Sequence, residues 1–364
     1  MTGTFTSFVP LRHESQSNRT FTCRARAETL GLRIRCASHL LGPEKEHHVQ
    51  GIGIEYYGEQ PHLIDITLPD PDAGEIEVEL FAASRNPLDE AVAAGYLAGL
   101  GEFRFPLVLG FDGAGVIRRV GSGVDRFAAG DRVFGQFWST PMQFGTFAEA
   151  TLAQARPALG VLRRIPDGVG FEAAAAAPTA GMTAAGALDN SGARPGDTIL
   201  ILGATGGVGT FAVQEAKARS IRVLAPASAE AADALRELGV NEVLPRNGAL
   251  ADALASPGAP EFAAILDFAG ATDSVEVAAK KVRDGGTVVS TAYGVPEALR
   301  AQTRIVATDY VLDKKPARLD HVAGALAAGV TRPIIGHEMG LEDVAHGEAP
   351  ARHGLRGKTV IRLQ

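Results

Sequence analysis

Cysteine is nearly missing from this chain of 364 residues: Cys23 and Cys36 are the only two, so everything from residue 37 onward is free of thiols. That excludes a disulfide framework and suits a reducing compartment, for which the cytoplasm is the expectation. It also excludes a four-cysteine structural zinc site and any cysteine zinc ligand in the body of the chain. No apolar run approaches the roughly 18 residues of a membrane-crossing helix. The alanine run 173–177 is short and is closed by Glu172 and Pro178, so no membrane span is expected. An excess of basic charge is lacking too. With a net charge of −7 the chain offers no sign of a nucleic-acid face. What remains, 46% hydrophobic residues and 21% charged ones, describes a soluble globular protein long enough for two domains.

Residues 1–48 have no aspartate and no secondary-structure period, but carry Arg12, Arg19, Arg24, Arg26, Arg33 and Arg35 among many serines and threonines. They are expected to be a disordered extension or an upstream stretch read into the frame, ahead of a transit peptide.

The chain is organised around the stretch from Thr198 to Ser220. Thr198 to Leu202 is an apolar run of strand length that passes directly into Gly203, Gly206, Gly207 and Gly209. Beyond them Val208, Ala212 and Ala216 recur at helical spacing as a small apolar face. A pyrophosphate reaches the backbone N–H groups at a helix N-terminus only where no Cβ intervenes, so strand, glycine turn and helix together mark a dinucleotide site. The spacing is Gly-x-x-Gly-x-x-Gly, weak as a pattern without that context.

Elsewhere Glu75 to Leu80 alternates, with Ile76, Val78 and Leu80 on one face, as a half-exposed strand does. Glycines and prolines then punctuate what reads as an all-β segment as far as Gly135. From about Phe171 alanine-rich helices alternate with apolar strands at Thr198 to Leu202, Arg222 to Leu224, Glu242 to Leu244, Ala264 to Asp267 and Thr287 to Ser290, the pattern of a doubly wound parallel sheet. A helix around His321 to Ala328, a short strand at Pro333 to Ile335 and a closing strand at Thr359 to Leu363 are expected to return to the β domain.

The ordered set Asn86-Pro87-Leu88-Asp89, Gly110-Phe111-Asp112-Gly113-Ala114-Gly115-Val116, Gly130-Asp131-Arg132-Val133, Pro178-Thr179-Ala180-Gly181-Met182-Thr183-Ala184, the turn Ala204 to Gly209, and Gly357-Lys358 resembles the medium-chain dehydrogenase/reductase superfamily. The branch it resembles is the zinc-free, zeta-crystallin-like quinone oxidoreductases, over residues 49–364. The resemblance implies an α/β fold with a chaperonin-10-like β domain at 49–168 and 312–364, and a Rossmann doubly wound parallel sheet at 169–311. It implies NADPH lying in the cleft between them, and a homodimer. The pyrophosphate would lie on Gly206, Gly207 and Val208, with Asn86 and Thr183 near the nicotinamide, and Ala204, Thr205 and Lys358 would also bind the cofactor. Asp267, Gly270, Ser290 and Tyr293 would line the ends of the fourth and fifth strands. Read without the resemblance, Asn86 is equally an Asx turn before Pro87, and Asp267 an ordinary strand-end cap.

Several further absences bear on chemistry. The end of the second strand, Ala225-Pro226-Ala227-Ser228, has no carboxylate before Glu230, whereas NAD enzymes place an acid there for the ribose 2′-hydroxyl. The resemblance assigns Lys217 and Arg246, with Ser228, to a 2′-phosphate, unless the two cations are simply solvated. Zinc-dependent relatives carry Gly-His-Glu where this chain has Gly110-Phe111-Asp112, so no metal is expected; Gly336-His337-Glu338 repeats the tripeptide in an unrelated place. The tyrosine that related quinone reductases often place five residues after the asparagine is Ala91, which leaves the proton donor unassigned, with Asn86 and Tyr96 as weak catalytic candidates. Tyr96 reads first as a packing aromatic on a loop. Phe134, Phe137, Trp138, Met142 and Phe144 would suit a flat apolar ligand or ordinary core packing. The expected activity is hydride transfer from NADPH to a small apolar quinone or α,β-unsaturated carbonyl. The alternative is a non-catalytic NADPH-binding or structural protein of the same fold.

Overall fold

Two sheets carry the architecture, one largely antiparallel and one wholly parallel, and the difference follows from their connections. In the first the strands lie in the order Ile335–Met339, Lys358–Arg362, Glu75–Ser84, Asp112–Val120, Arg132–Gln136 and Val161–Arg164, with Ala150–Gln154 also pairing with Glu75–Ser84. A smaller sheet of His62–Leu68, His47–Ile54 and Leu107–Val108 packs beside it. The computed structural model describes residues 47–246, 248–346 and 354–364. The expectation of an extension at 1–48 therefore lies outside the described residues, except for His47 and His48, which open the strand His47–Ile54.

The parallel sheet runs Glu242–Leu244, Arg222–Pro226, Thr198–Leu202, Phe262–Asp267, Val282–Ser290, Val306–Asp309. Strand order thus reverses on either side of Thr198–Leu202. That reversal opens a crevice at the carboxyl ends, where doubly wound sheets bind ligands. Helices cross between the strands because parallel neighbours cannot be joined by a hairpin.

Alanine explains how closely the helices lie on the sheet. The helices Phe171–Ala176 and Pro178–Ser191 bury Ala174 to Ala177, Ala180, Ala184 and Ala187 together with Ile199, Ile201 and Phe134 in one core. A separate core under the antiparallel sheet is built on Ile76, Val78, Leu80, Phe111, Phe137 and Trp138. The aromatics expected to crowd one loop are thereby divided: Phe134 faces the first core, Phe137, Trp138 and Met142 the second, and Phe144 packs on the small sheet.

Three elements differ from the sequence reading. Pro87–Ala93 is a helix within the segment read as all-β, with Pro87 in its first turn and the Asp89 carboxylate accepting from the Asn86 N–H at 2.6 Å. The strand placed at Pro333 to Ile335 is Ile335–Met339, held parallel to Lys358–Arg362, and its Glu338 pairs with Arg362 at 2.6 Å. The strand Val306–Asp309 was missed, since Val306, Ala307 and Thr308 sit at a sheet edge with one apolar residue exposed.

Candidate functional site

The glycine turn connects Thr198–Leu202 to the helix Gly207–Ala218, and its glycines are there for different reasons. A Cβ on Gly206 would meet nothing nearer than the Gly203 carbonyl oxygen at 3.4 Å, so this face of the turn is open. A Cβ on Gly209 would fall 2.2 Å from that same oxygen and 2.7 Å from Ala204 Cα, because the helix doubles back on its own strand. A Cβ on Gly207 would meet the aliphatic stem of Lys358 at 2.6 Å. Gly207 is therefore shaped by another part of the chain as well as by any phosphate.

That other part is the Gly357-Lys358 pair. The Gly357 N–H donates to Thr205 O at 2.9 Å, and Gly357 forms a bridge with Gly206, so the C-terminal return is stitched to the turn. Gly357 has φ +52, and a Cβ there would strike Ile334 O at 2.1 Å. Lys358 then runs across Gly207 and buries its ammonium, which donates to Arg85 O at 2.7 Å and to Asn86 Oδ1.

Asn86 is thereby engaged on every side. Its Nδ2 donates to Asp112 Oδ2 at 3.0 Å and Ser84 O at 3.3 Å, while its N–H is held by Asp89. Asp112 in turn accepts from the Thr179 N–H at 3.1 Å and the Thr179 hydroxyl at 2.7 Å, in the first turn of Pro178–Ser191, where helix N–H groups favour an anion. Two carboxylates and one ammonium thus share an interior site: Asp112 is 0% exposed, Asp89 4% and Lys358 5%.

Burial pushes the Asp89 carboxyl up to about 7, aided by the Asp112 charge and opposed by the Asn86 N–H and by Lys358. Burial likewise raises Asp112 and lowers Lys358. An acid whose folded pKa lies above its unfolded value holds its proton more tightly when folded. Stability therefore falls as pH rises from about 4 to about 7, by up to about 1.4 kcal/mol per pH unit. Asp89→Asn is expected to flatten that slope, measured by urea unfolding at intervals from pH 5 to 8; an unchanged slope would assign it to other groups.

A cavity of about 380 Å³ extends from the open face of the turn. Thr205, Ser228 and Arg246 line it, together with Glu230 and Arg356. Lys217 does not. It stands ten residues into a helix rising 1.5 Å per residue, so roughly 15 Å from the turn, and lies against Gly239 in a separate depression with Arg236 and Asn241. The second cation lining the cavity with Arg246 is Arg356, which the sequence hid because residues 110 apart that share a cavity leave no periodic trace.

Other expected residues are placed as follows. Thr183 is buried in Pro178–Ser191, and Ala204 and Val208 flank the turn. Ser290 Oγ donates to Asp267 Oδ2 at 2.8 Å, and Asp267 Oδ1 accepts from the N–H groups of Ala269 and Ala271, so Asp267 fastens its own strand end. Gly270 takes φ +65 in that same loop, and Tyr293 follows at φ +56 with 74% exposure. Tyr96 is 83% exposed, which corrects its reading as a packing aromatic. Among the described residues no three His, Cys, Asp or Glu side chains gather as a metal would need.

Residues 72–175 match the family described as Alcohol dehydrogenase GroES-like domain, and residues 207–315 the one described as Zinc-binding dehydrogenase. The chain belongs to the medium-chain dehydrogenase/reductase superfamily. A chloroplast envelope quinone oxidoreductase homolog of Arabidopsis thaliana is 34% identical over 212 residues, 57% of this chain and 63% of that protein. A 2-methylene-furan-3-one reductase of Solanum lycopersicum is 32% identical over 62% of this chain and 56% of its own length. The match thus spans about three fifths of each of these relatives. A quinone oxidoreductase structure from Pseudomonas syringae pv. Tomato superposes with a TM-score of 0.73 at 26% identity, covering 86% of this chain and 99% of that one. The zinc implied by the second family description does not fit this member of the superfamily. Phe111 has no donor atom, and Asp112 is already held by Thr179 and Asn86.

Proposed function

We propose that this protein is a zinc-independent, NADPH-dependent reductase that delivers hydride to a quinone or an α,β-unsaturated carbonyl. The observation that carries the reading is the open glycine turn, with a cavity leading from it past Ser228 to two arginines. The fit for a dinucleotide is direct. Thr205, Gly206 and Val208 offer the helix N-terminus to a pyrophosphate, and the cavity is of the size and polarity for the adenosine end. The relatives named as quinone oxidoreductases and as an enone reductase support the same chemistry.

NADPH supplies a hydride when bound; the chain's own residues align, charge and shield the site. Lys358 ties the turn to Asn86, so the dinucleotide platform and the nicotinamide end move as one body. Asp112, bonded to Thr179, fixes the same amide from the other side. The thiol-poor composition supports a cytoplasmic setting, and a homodimer, carried over from the family resemblance, is tested by light scattering. Among the described residues no helix is long and apolar enough to cross a membrane.

The preference for NADPH over NADH is assigned to Arg246 and Arg356, two cations facing a cavity with one acid, Glu230. Each charge-assisted contact to the 2′-phosphate is worth about 1.5 kcal/mol, the low end of the range because both guanidinium groups are exposed. Arg246→Ala with Arg356→Ala is expected to weaken NADPH more than tenfold by calorimetry and leave NADH within threefold; equal loss of both would refute the clamp. The function itself is tested by NADPH oxidation against a panel of quinones and enones. Turnover is expected with at least one. Binding of NADPH with no turnover throughout would hand the site to the non-catalytic reading.

A further inference from the structure

Lys314 stands out among the charged residues because its ammonium lies over the ring of a buried tryptophan rather than against a carboxylate. It follows the last strand of the parallel sheet, Val306–Asp309, at the carboxyl end of the sheet. Tyr310 anchors the segment, its N–H on Ser290 O at 2.7 Å and its ring against Gly186 of Pro178–Ser191. From there the chain turns through Lys314 at φ +46, a left-handed backbone that a lysine rarely adopts and that surrounding structure must impose. The result is an ammonium 3.7 Å from the centroid of the Trp138 ring. Trp138 is 3% exposed and lies 4.6 Å from Phe111, whose neighbour Asp112 is bonded to Asn86.

No carboxylate among the described residues neutralises this cation. Asp313, next in the chain, is taken by Arg318 at 2.5 Å and Lys315 at 3.2 Å. Asp189, on the helix behind, is taken by Arg318 and Arg219. The side facing Lys314 from the antiparallel domain is aromatic, Trp138 with Phe111 and Phe103 around it. A cation over an indole face is held by the ring's negative face and keeps its N–H bonds free. Meanwhile the tyrosine expected to donate a proton is Ala91, and Tyr96 is out in solvent.

We propose that Lys314 is the proton donor of this site, giving its proton to the oxyanion formed when a conjugated carbonyl accepts hydride. The inference rests on the reductase reading above. Hydride adds to the electrophilic carbon of the acceptor, the π electrons move onto the carbonyl oxygen, and the nicotinamide is left oxidised. One Lys314 N–H bond breaks as an O–H bond forms, leaving a neutral amine that takes a proton back from water. Burial brings the ammonium down to about 8, so it is charged at neutral pH yet acidic enough to donate. Because the acid must be protonated, turnover falls as pH rises through about 8.

The test uses the full chain, Lys314→Met and Lys314→Arg. Trp138 is the only tryptophan, so its fluorescence reports the charge above it without cofactor or turnover. A transition centred near pH 8 is expected in the unmutated protein and absent in Lys314→Met; the same transition in both would overturn the placement. With an enone acceptor, Lys314→Met is expected to lower kcat by about 10²–10⁴-fold, to lose the decline above pH 8 and to keep its affinity for NADPH. Lys314→Arg keeps the cation over Trp138 but has no proton to give near neutrality, so its kcat falls while KM holds. A Met variant that folds, retains kcat within threefold and keeps the wild-type pH profile would overturn the proposal and leave the reductase reading standing. An unmutated protein that binds NADPH and reduces no acceptor would overturn both.

Discussion

Replacing Lys358 with methionine is expected to destabilise the fold by about 3–5 kcal/mol, since it removes the one cation from an interior that retains two carboxylates. Asp112 and Asp89 are enclosed, and no water takes the place of the ammonium once the stem of methionine fills the same space over Gly207. The melting temperature should fall by roughly 10 °C. The defect should deepen as pH rises, because carboxyl groups without a counter-charge are accommodated only when protonated. Asn86 would also lose the donor on its Oδ1 and with it its fixed orientation, so NADPH binding should weaken even where the variant is folded. The control is Lys358→Met with Asp112→Asn, which removes one charge of each sign and keeps a side chain that can accept from Thr179. Recovery of at least half the lost stability, read by urea unfolding at pH 7, would show that the loss is electrostatic. No recovery would point instead to the packing of the stem against Gly207.

How much of this was legible in the sequence depends on the range of the interaction. The strand Thr198–Leu202, the turn and the following helix were readable because all three signals, an apolar run, glycines and small residues at helical spacing, lie within about twenty residues. The helix Pro87–Ala93 carried its own start signal in Asn86-Pro87 and the acid at Asp89, and was passed over because the surrounding glycines argued for strands. The site, by contrast, is made by residues far apart in the chain. Lys358 meets Asn86 across 272 positions, and Asp112 meets Thr179 across 67. Asp112 was noticed only as a position where zinc relatives differ, and its actual work, accepting from Thr179 in the first turn of Pro178–Ser191, has no local pattern. Lys217 and Lys314 show the same limit from opposite sides. The first was given a phosphate and faces elsewhere, while the second, in a Lys-Lys-Pro stretch that reads as solvated surface, lies over the only tryptophan.

The sharpest expectation about the turn is a contrast between two of its glycines, Gly207 and Gly209. Gly209→Ala is expected to weaken NADPH binding by at least 100-fold, about 2.7 kcal/mol, whereas Gly207→Ala should cost less than tenfold. The added Cβ at 209 lands 2.2 Å from Gly203 O and 2.9 Å from the Ala204 carbonyl carbon, all main chain of the turn itself. Main chain has nowhere to go here: Gly206 N–H is bonded to that same Gly203 oxygen at 3.0 Å, and Thr205 O holds Gly357. Relief requires the helix to move off the strand, which pulls the first N–H groups away from the pyrophosphate they would cradle. At 207 the nearest obstacle is the Lys358 stem at 2.6 Å, a side chain rather than main chain, which can shift off the added methyl while its Nζ stays on Arg85 O. The two variants therefore separate a turn built for a ligand from one built for packing, by titration of NADPH into each folded variant. If Gly209→Ala binds within threefold of the unmutated chain, the turn relaxes without consequence and the pyrophosphate lies somewhere else. If Gly207→Ala proves the more damaging, the contact with Lys358 is the one that sets the cofactor's place.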